Sequence, residues 1–380
     1  MSCSFESIAI AGAWGYIGRK LLDAALRQGL RVYAFDPGPA PAELNPASVT
    51  RIASEVEFYA LPADLFHLAL HPDARRQAQN LLLARAQREP LVILNEKPIV
   101  SPEAPAEGPA IIAAVDHSRA LMLYDFPELF DPLTRRITDY LAGFRHVEIQ
   151  SMVMERSKDR EDPAIARNYK RMLPVQYQES VHCLAYVLYL MARLRGGFEA
   201  ALSGGLTVTA QSEPYCPPNP EAYAGVVDGR CDYRLGLGAL TVEGVTNFKR
   251  GARWSKRRVL RGYADGRPFV IEADYLEGNK NLRINGADQG WKPEASSYEA
   301  ILTTFSEWRG TLPREELLRG VYPNPRLAWL AFQMSHMLWK SCHAGKTIPL
   351  ADARALETFD RNSDRAGPGF PCHAAGGSAN

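Results

Sequence analysis

Ser7–Asp36 (SIAIAGAWGYIGRKLLDAALRQGLRVYAFD) restricts the folds open to this 380-residue chain more than any other stretch. The apolar run Ile8–Ala11 leads into Gly12, Gly15 and Gly18. A helical pattern follows, with Ile17, Leu21, Leu22, Ala25 and Leu26 on one face and Gly29 where a C-cap belongs. A second apolar run, Val32–Phe35, ends in Asp36. Strand, tight turn, helix, strand and acid in this register predict the first βαβ unit of a dinucleotide-binding fold. Gly12 lets the chain turn out of the strand, Gly15 leaves room for a pyrophosphate, and Gly18 lets the helix pack against the sheet. Ala13, Trp14, Tyr16 and Ile17 complete the turn, whose amides face the phosphates at the helix start. Asp36 is placed to accept a hydrogen bond from a ribose 2′-hydroxyl and would repel a 2′-phosphate, so NAD is preferred over NADP.

The same alternation continues. Leu65–Leu70 reads as a buried strand ending at His71-Pro72, and Asp73–Ala86 as a helix. Leu91–Leu94 is a strand running into Asn95-Glu96-Lys97-Pro98, and Ile111–Val115 is expected to be another, ending at Asp116-His117. Alternating strands and helices predict a doubly wound parallel sheet that binds ligands at the carboxyl ends of its strands. Gly12, His71, Lys97 and Asp116 all fall at such ends. His71, Pro72, Glu96 and Lys97 are therefore assigned to the cofactor, and Asp116 and His117 to the substrate.

The pattern changes near residue 121. A helix over Phe126–Leu141 and a strand over His146–Met154 precede the polar stretch Glu155–Arg171. Gln176–Ser180 introduces the apolar helix Val181–Leu190. Strand-like runs then recur from Leu206 to Asn285, broken by turn signals at Asp265-Gly266 and Asn285-Gly286. Helices over Ser297–Arg309 and Pro325–His343 close the chain. The expected fold class is α/β: an N-terminal Rossmann domain (1–120), then an α+β domain with a mostly antiparallel open sheet (121–352). A disordered Gly-, Ala- and polar-rich tail (353–380) follows.

Composition excludes several alternatives. The chain is 46% hydrophobic and 23% charged with net charge +1, so nothing global points to nucleic acid or a membrane. The basic run Phe248–Arg261 falls between strands and reads as a charged strand or subunit contact. The six cysteines form no CxxC pair, so no metal is expected and the thiols read as reduced, in the cytoplasm. Within Glu155–Arg171, Arg156, Lys158, Arg160, Arg167, Tyr169 and Lys170 offer an anion site. The interleaved Glu155, Asp159, Glu161 and Asp162 instead favour a solvated, self-paired surface.

With these segments in order, the chain from about residue 5 to about residue 350 resembles the Gfo/Idh/MocA oxidoreductases, the glucose-fructose oxidoreductase and inositol dehydrogenase family. The dinucleotide unit, LALHPDARRQAQNLLLARA and Asn95-Glu96-Lys97-Pro98 match that family's cofactor half. Gly262-Tyr263-Ala264-Asp265-Gly266 and Ser341-Cys342-His343-Ala344-Gly345-Lys346 resemble its hairpin and its closing motif. The resemblance implies that Lys97 stabilises the substrate oxygen and that His182, with an ordinary pKa of about 6.5, moves its proton. Gln178 and Ser180 stand where the family has Asp and Gly, which implies either that the base is oriented differently or that Glu179 substitutes for the missing carboxylate. Tyr169, Gln178 and Glu179 join the substrate candidates.

The implied activity is NAD(P)-dependent hydride transfer at a secondary alcohol or ketone of a sugar, cyclitol or related small polar metabolite. Imine reduction and a non-catalytic nucleotide-binding sensor are the alternatives. A homodimer or homotetramer is implied with it.

Overall fold

In the computed structural model the described residues, 5–290 and 295–359, fall into two compact units. One comprises the described residues of Met1–Ser101, Pro105–Arg136 and Pro293–Trp329; the other comprises those of Pro102–Ala104, Ile137–Lys292 and Leu330–Asn380. Most of the expected disordered tail lies outside the described residues, but Ala353–Glu357 within it is a short helix capped by Asp352.

The first unit is built on a six-stranded parallel sheet. Its strands are β1 (Ser7–Ala11), β2 (Arg31–Phe35), β3 (Thr50–Arg51), β4 (Leu65–Leu68), β5 (Leu91–Glu96) and β6 (Ala120–Asp125), in the spatial order β3-β2-β1-β4-β5-β6. Strand order reverses between β1 and β4, the switch point at which such sheets bind ligands. β1, β4 and β6 are buried along their whole length. That accounts for their unbroken apolar runs.

Residues 111–115 differ from expectation. They lie inside the helix Glu107–Asp116 rather than in a strand. Pro109 is tolerated in a first helical turn, and a short apolar run carries no period that separates helix from strand. Asp116 and His117 are therefore exposed at a helix C-terminus, and the His117 ring bonds the Ala113 carbonyl. They precede β6 and stand at the strands' amino edge, opposite the ligand edge, which removes them as substrate candidates.

A second difference is long-range. The helix Ser297–Thr311 was expected in the second domain, yet it packs within the first unit. A capping box between Ser296 and Glu299 starts it. Glu299 also binds Arg27 at 3.0 Å, which together with the cap lowers its pKa to about 2. Phe305 meets Phe5 edge to face at 5.7 Å.

The second unit carries a nine-stranded sheet among its described residues. Its strands are β7 (Val147–Ser157), β8 (Leu206–Pro214), β9 (Asp228–Leu237), β10 (Leu240–Asn247), β11 (Ser255–Ala264), β12 (Arg267–Asp274), β13 (Asn281–Ile284), β14 (Ala287–Asp288) and β15 (Ile348–Leu350). The order is β14-β13-β12-β11-β7-β10-β9-β8-β15, and only β7 and β10 pair in parallel. Asp265-Gly266 and Asn285-Gly286 have φ of 48°, 76°, 52° and 79°, the positive values their hairpins require. Strands such as β8 alternate buried and exposed residues. The covered face meets the helix Val181–Arg195, where Tyr186 and Tyr275 pack edge to face at 5.8 Å. Val181 to Ala192 are buried throughout that helix, and Gly196 at φ 82° ends it. Among the described residues no helix is long and apolar enough to cross a membrane.

Candidate functional site

Each glycine of the first turn has a geometric reason. Gly12 has φ +74°, and a Cβ there would lie 2.5 Å from the Ala69 carbonyl oxygen. A Cβ on Gly18 would lie 2.1 Å from the Gly12 oxygen, so the helix Tyr16–Arg27 can approach the turn only without one. No side chain caps that helix and its first turn holds no acid, so its leading amides are open to an anion. Asp36 closes the turn: Oδ2 accepts from the Trp14 amide at 3.0 Å and Oδ1 from the Gly38 amide at 2.9 Å. Each oxygen keeps a lone pair for a ribose hydroxyl. The residues present therefore fit a dinucleotide. His71 and Pro72 follow β4 at the same edge of the sheet, with His71 Nδ1 3.1 Å from Asp73.

Lys97 follows the last residue of β5 and stands half-buried at that carboxyl edge. Beneath it lies a buried polar cluster that sequence reading missed. Glu96 and Asp125 are register partners on β5 and β6, and His67 pairs with Leu94 two residues back, so all three side chains share one face. The His67 Nδ1–H donates to the Leu94 carbonyl at 3.2 Å, leaving the Nε2 lone pair 3.8 Å from Glu96 Oε1. Burial pushes the His67 pKa down to about 3, so the ring is neutral. Burial raises both carboxyls, and Asp125 rises further because it hydrogen-bonds the Glu96 carboxylate. The pair is therefore shifted toward its protonated form. The three ligand atoms lie within 4.8 Å of one another, a metal-like spacing. Arg75, which donates to the Pro98 carbonyl, and Lys97 already act on the pair, so its charge is met by cations of the chain. The available signal was a histidine inside an apolar strand run.

This cluster makes stability depend on pH in a defined direction. Asp125 keeps its proton when folded at pH values where the unfolded chain has lost it. Stability therefore falls as pH rises from the ordinary carboxylate range toward the raised folded value, by about 1.4 kcal/mol per pH unit at most. Asp125→Asn removes that slope. Thermal melts should show the variant gaining on the parent as pH rises above the ordinary carboxylate range; a constant difference would mean that no proton is held.

In the second unit, a π-helical turn, Gln176–Ser180, runs into the helix Val181–Arg195 and carries Gln178 and Glu179 just ahead of His182. Gln176 anchors the turn through Asp228 at 2.6 Å, and Ser180 through Thr246 at 2.6 Å. His182 is buried. Gln178 Oε1 accepts from the Leu173 amide at 3.5 Å, and Tyr169 is 47% exposed on the loop before the turn. Glu179 binds Arg156 Nε at 2.5 Å and also pairs with Lys158. Its carboxylate is thus engaged by two cations.

The segment Glu155–Arg171 is only in part the solvated, self-paired surface expected: 163–166 and 169–171 are exposed and Asp159 accepts from the Glu161 and Asp162 amides, but other residues are buried. Arg156 and Arg160 are only 7% and 5% exposed. Two of the segment's acids also turn elsewhere: Glu161 takes Lys249 at 2.7 Å and the Arg250 amide at 2.9 Å, and Asp159 takes the Gly251 amide at 2.7 Å. Charge alternation along the sequence could not reveal this, because Glu161 and Asp159 reach the loop after β10.

No family model matches the sequence, and no curated protein matches it. Solved structures do. A myo-inositol dehydrogenase from Corynebacterium glutamicum matches with a TM-score of 0.63 at 17% identity, over 90% of this chain and 98% of its own. An aldose-aldose oxidoreductase from Caulobacter crescentus matches at 0.65 and 14%, over 90% and 99%. The Gal80p super-repressor mutant from Saccharomyces cerevisiae matches at 0.64 and 12%, over 92% and 98%. The resemblance to the Gfo/Idh/MocA oxidoreductases carried by the motifs is therefore matched in three dimensions, and this chain has the fold of that group.

Proposed function

We propose that the protein is an NAD(P)-dependent oxidoreductase, NAD preferred, acting at a secondary alcohol or ketone of a sugar, cyclitol or related polar metabolite. The observation that carries this reading is the shared edge of the first sheet. The glycine turn after β1, with Asp36 bonded into it, and Lys97 after β5 both stand at the carboxyl ends of parallel strands. A bound nicotinamide would supply the hydride donor or acceptor. The turn amides would hold the pyrophosphate and Asp36 the ribose. The Lys97 ammonium would hydrogen-bond the substrate oxygen and stabilise its developing negative charge. The His182 imidazole would take the hydroxyl proton in oxidation and return it in reduction.

The test is NADH formation from NAD over a panel of polyols, cyclitols and hydroxy acids, with NAD binding measured in parallel. For alcohol oxidation, His182→Ala should lower kcat by about 10²-fold or more. A rate that ignores this change would point to reduction of a C=N bond, which needs no hydroxyl base.

The likeness to Gal80p and the Gln178 position, which lacks a carboxylate, favour one second reading: a nucleotide-binding sensor without catalysis. Tight NAD binding with no hydride transfer to or from any member of the panel would select it.

A further inference from the structure

We infer that Cys231 and Cys342 form a reversible redox pair: a hydroperoxide oxidises Cys342, and Cys231 resolves the product to a disulfide beside the π-helical turn.

The fold brings the two thiols together from positions 111 residues apart in sequence. Cys231 lies on β9, and Cys342 in the last turn of the helix Pro325–Ala344. Their sulfurs are 4.0 Å apart, and both are free thiols. A bonded pair needs about 2.05 Å. Rotation of the half-buried Cys342 side chain to another staggered position supplies movement of that order.

Exposure divides the roles. Cys231 is buried, whereas Cys342 is half-buried and can be reached. The Cys231 thiol hydrogen-bonds Cys342 and holds the Cys342 pKa below the ordinary thiol range; Ser212 and Gln176 add to this, against burial and Asp228. The same hydrogen bond, together with burial, pushes Cys231 up. The reachable sulfur is therefore the readier thiolate, and the buried one stands beside it as a thiol. Oxidation-sensing cysteines have this arrangement, an attacking thiolate next to a resolving partner.

The steps balance. The Cys342 thiolate attacks the peroxide and the O–O bond breaks. Cys342 becomes a sulfenic acid, and the alcohol or water that leaves carries the proton of the thiol. The Cys231 sulfur then attacks Cys342 Sγ, the S–O bond breaks, and the hydroxyl leaves with the Cys231 proton as water. The thiols are oxidised by one electron pair, the peroxide is reduced by it, and a dithiol reverses the bond.

The new bond would act on the turn that leads to His182. Gln176, its first residue, donates to Cys342 Sγ at 3.6 Å as well as to Asp228. Ser180, its last, bonds Thr246, the register partner of Cys231. Each end of the turn is thus held beside one of the two cysteines, and joining them ties the ends together.

The experiment treats the full chain with hydrogen peroxide, blocks the remaining thiols and maps the peptides without reduction. A linked Cys231–Cys342 peptide should form and should disappear with dithiothreitol. Cys231→Ser should stop at a sulfenic acid on Cys342, trapped by a 1,3-diketone, and Cys342→Ser should give neither product. Hydrogen exchange across 176–182 should slow by about tenfold in the oxidised parent and stay unchanged in Cys231→Ser. A parent without the linked peptide, or one in which Cys231 pairs as often with other cysteines, overturns the inference. A linked peptide without slower exchange overturns its hold on the turn. None of these readouts involves NAD or turnover, so the outcome is independent of the oxidoreductase reading.

Discussion

Lys97→Ala is expected to lower kcat by about 10²- to 10³-fold, the cost of removing one preorganised donor to a developing oxyanion, while NAD affinity stays within a few fold. The split follows from position. The groups that fit the dinucleotide are the amides of the turn after Gly12 and the Asp36 carboxylate, and Lys97 belongs to neither. It extends from the end of β5, with a buried carboxyl pair acting on it from below. Substrate turnover and NAD titration on the same preparation check both halves. Unchanged turnover would remove Lys97 from the chemistry, and lost NAD binding would move it to the cofactor.

Glu179→Ala is expected to destabilise the second unit strongly. It removes the carboxylate that Arg156 and Lys158 share and leaves two cations facing each other in a mostly buried place. Breaking a buried ion pair from one side costs about 3–5 kcal/mol, or roughly 10 °C in the unfolding temperature of a unit this size. Calorimetric melts measure it directly. A shift of a degree or two would mean that water already reaches this trio. Arg171→Ala gives the contrast, since its pair with Glu103 is at the surface and such pairs contribute little.

The cofactor half was legible because its constraints are local. Gly12, Gly18 and Asp36 act on backbone within a short stretch, so their spacing carries the geometry. The position of Lys97 was legible for the same reason, through the strand it follows. Asp116 and His117 failed because Ile111–Val115 has no period that distinguishes helix from strand. His67, Asp125 and Arg75 were missed because their meeting depends on strand register between β4, β5 and β6, which no single stretch encodes. The helix Ser297–Thr311 was assigned to the wrong unit because Arg27–Glu299 and Phe5–Phe305 join opposite ends of the sequence. The segment Glu155–Arg171 misled for a related reason: Glu161 pairs with Lys249, and Asp159 also bonds Gly251, in the loop after β10.

The π-helical turn at Gln176–Ser180 bears on how this site could diverge. Its hydrogen bonds span i→i+5, so it carries one residue more than an α-turn over the same path. Counting Gln178 and His182 as stacked neighbours, as on a regular helix, therefore assigns the wrong residue to the position above the histidine. A one-codon deletion within 176–180 would restore regular winding and leave the segments on either side of the turn on the same path. The side chains within the turn would shift around its axis, and Glu179 would lose its present alignment with Arg156 and Lys158. A single insertion or deletion here, with no substitution at all, would exchange the group presented beside the histidine, and an ungapped sequence comparison across this turn would register that exchange as the loss of a residue.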